Sequence, residues 1–234
     1  TNVVLGDHGT LTFTAGVLAQ VASTTSTGDS GLIEAGDGFN IIIGGFGADS
    51  ITTLGGTNVL FGDQGRVNVT GTTLVDATTL DAGTGSHDLI LTGDGTHWIF
   101  GGDGDDVITT DNPFTVDDGY AVIFGDHGRI ERGLGNALTV TSLDMTVGGA
   151  DIITTGNGND IIIGGLASDI IMAGEGNNLI LGDSGEIIIA SDGGYDLARS
   201  LAPADGDDDA ITTGAGDDLI IGGAGGDLID AGEG

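Results

Sequence analysis

The chain has 234 residues and carries 36 acidic against 4 basic ones, a formal net charge of −32. Such a field repels nucleic-acid phosphates and anionic lipid, and no apolar run is long enough to cross a bilayer as a helix, so neither nucleic acid nor membrane insertion is expected. Hydrophobic residues make up 38%, which argues against the disorder common in so acidic a chain, and the lack of cysteine removes disulfides and thiolate metal sites.

In chain order, the sequence opens on Asn2 and a GDHG turn at Gly6, followed by a strand-like TLTFT and a polar excursion from Leu11 onward. A nine-residue frame then sets in, with glycine at positions one, two and four, an acidic or amide residue at six and an aliphatic at eight. It places Asn40, Asp49 and Asn58 nine residues apart, each two residues ahead of Ile42, Ile51 and Leu60. GDQG at Gly62, RVNVT and an excursion from Val67 interrupt it, and the frame resumes with Asp88, His97 and Asp106. GDHG at Gly125, RIERG and an excursion from Ile130 lead into Asp151, Asp160, Asp169 and Asn178. GDSG at Gly182, EIIIA and an excursion from Ile187 lead into Asp209, Asp218 and Asp227.

The GDxG turns recur after 56, 63 and 57 residues, which defines four long units, approximately 1–57, 58–120, 121–177 and 178–234, within one continuous domain. The final AGEG runs into the initial TNVVLGDHG much as the internal AGEGNNLILGDSG does, so the chain is expected to be a segment of a longer tandem array.

A fixed short period is the mark of a solenoid, in which each unit buries its apolar side chain by stacking on its neighbours. Six turn residues and three short, β-branched strand residues make half a coil, so two frames make a rung of 18 residues. The expected fold is all-β: a parallel β-roll, or β-solenoid, whose rungs stack at about 4.8 Å. Stacking would bring Asp88 to Asp106, Asp151 to Asp169, Asp160 to Asn178 and Asp209 to Asp227. Carboxylates at ~5 Å repel by several kcal/mol at an effective dielectric near 20, so the ladder calls for bound cations. Carboxylate oxygens and glycine-turn carbonyls, about six around one point, suit calcium. The candidate metal ligands are Asn40, Asp49, Asn58, Asp88, Asp106, Asp151, Asp160, Asp169, Asn178, Asp209, Asp218 and Asp227, serving multiple Ca2+ ions. Asparagine offers less charge, so its sites should bind more weakly. Ala121 takes position six once and cannot ligate. Asp7, Asp63, Asp126 and Asp183 stand where the second glycine belongs, either as extra ligands or as caps where the chain leaves the regular coil.

The frames GGFGADSIT at Gly44, GGDGDDVIT at Gly101, GGLASDIIM at Gly164 and GGAGGDLID at Gly222 resemble the glycine-rich nonapeptide G-G-x-G-x-D-x-U-x of RTX (repeats-in-toxin) proteins. The resemblance covers about two thirds of the chain and excludes the excursions. It implies a calcium-filled parallel β-roll, folding triggered by extracellular calcium, and secretion to the exterior or cell surface by a type I system.

Positions seven and nine flank the buried position eight. Alternate frames read SIT, VIT, IIT and AIT, or III, VLF, WIF, VIF and LIL, so one sheet should face water while the other is apolar on both sides and needs a cover. Either the excursions fold over it or another copy of the chain packs there. Leu89 to Leu91 break the alternation. The four histidines sit in turns with no order suggesting a catalytic triad, and no His-Glu metal motif is present, so no enzymatic activity is expected of the chain itself. The expected role is a calcium-binding extracellular structural or adhesive repeat, a rigidified spacer or filament element that could associate with copies of itself end to end or side by side. The alternative is a calcium-dependent RTX module of a secreted enzyme or toxin whose active domain lies elsewhere.

Overall fold

The computed structural model describes residues 1–24, 27–80, 83, 85–110, 119–201 and 206–234. It contains three eight-stranded sheets. The central sheet and the open sheet are parallel and together form the roll. The third, the cover sheet, is antiparallel.

The central sheet is built from Asn2–Leu5, Phe39–Ile43, Gly56–Phe61, Gly95–Phe100, Tyr120–Phe124, Ile161–Gly165, Leu179–Asp183 and Leu219–Ile221. The open sheet is built from Leu32–Ala35, Ser50–Thr53, Leu89–Leu91, Val107–Thr109, Ile152–Thr154, Ile170–Met172, Ala210–Thr212 and Leu228–Asp230. Apart from the step from His97 to Ala121, the 18-residue rung holds where no excursion intervenes: Asn40 pairs with Asn58, Leu89 with Val107, Ile161 with Leu179 and Ala210 with Leu228.

Position eight supplies the roll's own core. Ile42, Ile51, Leu60, Ile90, Ile99, Ile108, Ile153, Ile162, Ile171 and Ile180 are completely buried between the two parallel sheets. One aliphatic side chain per strand makes this core thin. Burying such a side chain stabilises by about 1.5–3 kcal/mol, so each rung adds a small, repeated increment rather than a large central mass.

The excursions are hairpins, and they form the cover. Gly9–Thr14 with Val17–Ser23, Gly65–Thr70 with Thr73–Thr79, Gly128–Arg132 with Leu138–Ser142, and Gly185–Ile189 with Tyr195–Ser200 join edge to edge into the antiparallel sheet. Val21, Val67, Ala77, Ile130, Val140 and Ile187 from the hairpins close over Ile41, Ile43, Val59, Phe61, Trp98, Phe100, Val122 and Phe124 of the central sheet. Phe61, Phe100 and Phe124 stack on successive rungs with centroids 4.5 and 5.2 Å apart. Trp98 lies among them, with the Arg132 guanidinium 5.5 Å from its ring centroid. The apolar sheet is therefore covered by the chain's own excursions.

Why the long period has its length follows from this packing. A hairpin is two strands wide, and so are two rungs, each strand taking about 4.8 Å. One hairpin on every second rung keeps the cover sheet in step with the sheet beneath it. The 63-residue interval has a different source. Between Val107–Thr109 and Tyr120–Phe124 the chain takes a longer path, and His97 pairs with Ala121, 24 residues on rather than 18. Residues 111–118 on that path lie outside the described residues.

The open sheet faces water as expected, but with an apolar component. Its position nine carries Thr52, Thr109, Thr154 and Thr212, but its position seven is largely apolar: Leu32, Leu89, Val107, Ile152, Ile170 and Leu228. In mid-sheet these side chains are only 36–44% exposed, because short parallel strands bring β-branched neighbours together and each shields the next. Leu89 and Leu91, which break the sequence alternation, lie in this face between Ser50–Thr52 and Val107–Thr109.

Candidate functional site

Each rung turns twice. On the first edge the chain passes from the central to the open sheet, and on the second edge it returns. The frame's glycines permit the first-edge turns: Gly45 and Gly47 have φ of 116° and 96°, values that a side chain disfavours. Ala167 adopts φ 65° at the position equivalent to Gly47 and bears the corresponding strain.

These turns put position six of every first-edge frame onto one line. Its members are Gly31, Asp49, Asp88, Asp106, Asp151, Asp169, Asp209 and Asp227, one per rung. The expected pairs Asp88–Asp106, Asp151–Asp169 and Asp209–Asp227 are adjacent. The line also runs unbroken past the hairpins, joining Asp49 to Asp88, Asp106 to Asp151 and Asp169 to Asp209. Along it, each Oδ1 accepts a hydrogen bond from the backbone N–H of the residue one rung back. The distances are 2.5 Å from Gly31 to Asp49, 2.7 Å from Asp88 to Asp106, 2.8 Å from Asp151 to Asp169 and 3.2 Å from Asp209 to Asp227.

The other oxygen of each carboxylate has a different fate. Oδ2 of Asp49, Asp88, Asp106, Asp151, Asp169 and Asp209 is buried and has no hydrogen-bond partner among the described residues, and these residues are at least 97% buried. Burial is the main cause that raises their pKa values. Asp49 rises to about 6, Asp209 to about 7, Asp88 to about 8, Asp169 to about 10 and Asp106 to about 11, with Asp151 well above the usual carboxylate range. Neighbouring aspartates push in the same direction, and the backbone N–H bonds oppose them.

Position one of the frame shows where these oxygens point. A Cβ placed on Gly62 would stand 2.1 Å from Oδ2 of Asp88 and 2.6 Å from the carbonyl oxygen of Gly101. On Gly125 it would stand 2.0 Å from Oδ2 of Asp151 and 2.5 Å from the Gly164 carbonyl, and on Gly164 2.2 Å from both Oδ2 of Asp169 and the Gly182 carbonyl. Glycine keeps open a gap into which an unsatisfied carboxylate oxygen and a carbonyl of the next rung converge. Anionic and carbonyl oxygens without donors of their own are the ligand set a hard divalent cation takes.

The second edge is mixed. Its position-six line reads Asn2, Asn40, Asn58, His97, Ala121, Asp160, Asn178 and Asp218. From Ala121 onward it repeats the first-edge arrangement, with backbone N–H groups bonded to Oδ1 of Asp160, Asn178 and Asp218 at 2.8, 3.0 and 2.8 Å. Oδ2 of Asp218 and the hydroxyl of Thr213 in the same turn are buried without partners among the described residues. Asn40 and Asn58 are instead tied to side chains on adjacent rungs.

The GDxG aspartates act as clamps. Oδ2 of Asp7, Asp63, Asp126 and Asp183 accepts the backbone N–H of Phe46, Asp103, Leu166 and Ala224, 2.5–2.6 Å away on the following rung. Oδ1 of Asp126 also accepts the N–H of Gly149, where the hairpin returns to the roll, at 2.8 Å. Beside it, His127 Nε2 meets Asp103 Oδ1 at 2.6 Å in a buried pair that links consecutive rungs.

A parallel roll with a buried carboxylate line in glycine turns defines a class, the calcium-binding repeat proteins. Comparison with protein families gives the particular one. The family model described as RTX calcium-binding nonapeptide repeat (4 copies) matches residues 34–66, 82–112, 146–180, 163–197 and 203–234, well over half of the chain, and the chain belongs to that family. Comparison with curated proteins finds no match, and neither does comparison with solved structures.

Proposed function

We propose that this is a calcium-rigidified structural or adhesive element of a secreted or cell-surface protein, with its ions held chiefly along the first edge. The assigned ligands there are Asp49, Asp88, Asp106, Asp151, Asp169, Asp209 and Asp227, through Oδ2 and the facing glycine carbonyls. Asp160 and Asp218 are assigned to the second edge, whereas Asn178 between them accepts the Asp160 N–H on Oδ1 and turns its Nδ2 to the Gly174 and Gly176 carbonyls at 3.3 and 3.2 Å. The observation that carries this reading is the continuity of the carboxylate line past three hairpins, from Asp49 to Asp227. An ion between each pair of rungs would couple all of them into one stiff rod, the property a spacer needs. Extracellular calcium supplies the ion, and secretion by a type I system is the route that RTX repeats typify.

Force spectroscopy tests the mechanical role. The calcium-loaded chain should resist extension at forces under which the chelated chain stretches freely, and identical force–extension curves would remove the spacer reading. Extending the sequence outward separates this role from the accessory-module alternative: further two-rung-plus-hairpin units support the spacer, and an adjoining hydrolase or toxin domain supports the module.

A further inference from the structure

The two edges of the roll are built from different hydrogen bonds, and the difference is greatest over the first four rungs. On the first edge, side-chain oxygens accept from backbone N–H groups and leave a second oxygen bare. On the second edge, side chains bond to one another across the rungs. Asn2 Nδ2 donates to Asn40 Oδ1 at 2.7 Å, and Asn40 Nδ2 donates to Asn58 Oδ1 at 2.7 Å. Asn58 Nδ2 lies 3.1 Å from His97 Nδ1, and His97 Nε2 lies 2.9 Å from the Gly93 carbonyl oxygen. A carbonyl only accepts, so Nε2 carries a ring proton, and with Asn58 Nδ2 as the donor Nδ1 is the acceptor of the last bond. Along the whole line each amide donates towards the next rung.

The remaining N–H of each amide turns into its own glycine turn. Asn40 Nδ2 reaches the Gly36 carbonyl at 2.9 Å, and Asn58 Nδ2 reaches Thr53 Oγ1 at 3.1 Å and the Gly55 carbonyl at 3.3 Å. These are the oxygens that the second-edge turns of Asn40 and Asn58 present beside position six. Here they already have donors, and a cation would face N–H groups. Asn40, Asn58 and His97 are at least 99% buried, so water does not compete for these bonds.

We infer that the Asn2–Asn40–Asn58–His97 ladder takes the place of metal on the second edge of the first four rungs. Asn40 and Asn58 then act as rung-to-rung hydrogen-bonding groups rather than calcium ligands. The roll is held along this stretch by ions on one side and by a metal-free polar ladder on the other. This rests on the first edge binding calcium, and the experiment reads the two separately.

Calcium bound per chain at saturation is counted by equilibrium dialysis with atomic absorption, on variants whose fold in calcium is checked by circular dichroism. Asn58→Ala should leave the count unchanged while lowering the melting temperature. The pair Asn40→Asp with Asn58→Asp, which swaps amide donors for bare oxygens, should gain about one ion per chain. Loss of an ion in Asn58→Ala would overturn the inference, because it would make Asn58 a ligand. An unchanged count in a folded aspartate pair would overturn it too, because exchanging the amides would then not open a site. Asp106→Ala with Asp151→Ala serves as the reference for the first edge: it should lose ions, and an unchanged count there would sink the underlying calcium assignment rather than the ladder.

Discussion

In excess chelator at pH 8 the chain is expected to lose most of its far-ultraviolet β signal, and millimolar calcium is expected to restore it. The reason is the size of the repulsion. Adjacent carboxylates on the first edge are one strand spacing apart, about 5 Å, which at an effective dielectric near 20 costs about 3 kcal/mol per pair. Where the folded line escapes that repulsion by keeping a proton, as at Asp106 and Asp169, holding it at pH 8 against an ordinary value of 3.8 costs about 1.4 kcal/mol per pH unit. By either route the metal-free line loses more than the roughly 5–15 kcal/mol by which a domain is stable. Identical spectra with and without calcium would defeat this account.

Protons offer the chelated chain a second way to neutralise the line, and the sign of the effect is fixed. Folding raises these carboxyls from 3.8 to about 6 at Asp49, about 7 at Asp209 and about 8 at Asp88, so the folded state binds more protons than the unfolded one between those limits. Stability without metal is thus fully present below the unfolded value and is lost as pH rises through 6, 7 and 8. Acidifying the chelated chain towards about pH 4.5 should recover β structure, and the calcium midpoint should rise as pH falls because protons and calcium compete for the same oxygens.

The second large effect concerns a single rung. Asp169 accepts the N–H of Asp151 at 2.8 Å, donates its own N–H to Asp209 at 2.9 Å and is 1% exposed. Asp169→Ala removes a ligand oxygen and strands the Asp151 N–H, a loss of about 1–3 kcal/mol for the hydrogen bond alone. The calcium midpoint of folding should shift upward by about tenfold or more, which corresponds to roughly 1.4 kcal/mol. Asp29→Ala is the control. Asp29 has the same charge but lies exposed in the first hairpin's return, and its loss should change stability by no more than about 0.5 kcal/mol. Equal shifts for the two variants would mean that overall charge, and not the line, governs calcium binding.

Much of this architecture was readable from residues alone because nine-residue spacing translates directly into geometry. Aspartate at six and isoleucine at eight predict the rung, its core and the pairs Asp88–Asp106 and Asp151–Asp169. The continuity from Asp106 to Asp151 was not readable, because counting stops at an insertion. Only packing shows that each hairpin leaves and returns within one turn, and Leu11, Val67, Ile130 and Ile187 could equally have met another chain. The direction of the asparagine ladder was hidden for another reason. At position six an amide can offer oxygen to a metal or N–H to a carbonyl, and the choice is made by His97 and the Gly36 and Gly55 carbonyls nearby. The role of the GDxG aspartates likewise depends on which backbone N–H lies across the gap, as Leu166 does for Asp126.

Diffraction from crystals grown in calcium, with the ions located by their anomalous signal, tests the central claim most directly. The account predicts a file of ions along the first edge, each touching Oδ2 of Asp88, Asp106, Asp151 or Asp169 and a glycine carbonyl of the neighbouring rung. Ion-free gaps with those carboxylates turned outward into solvent would contradict it.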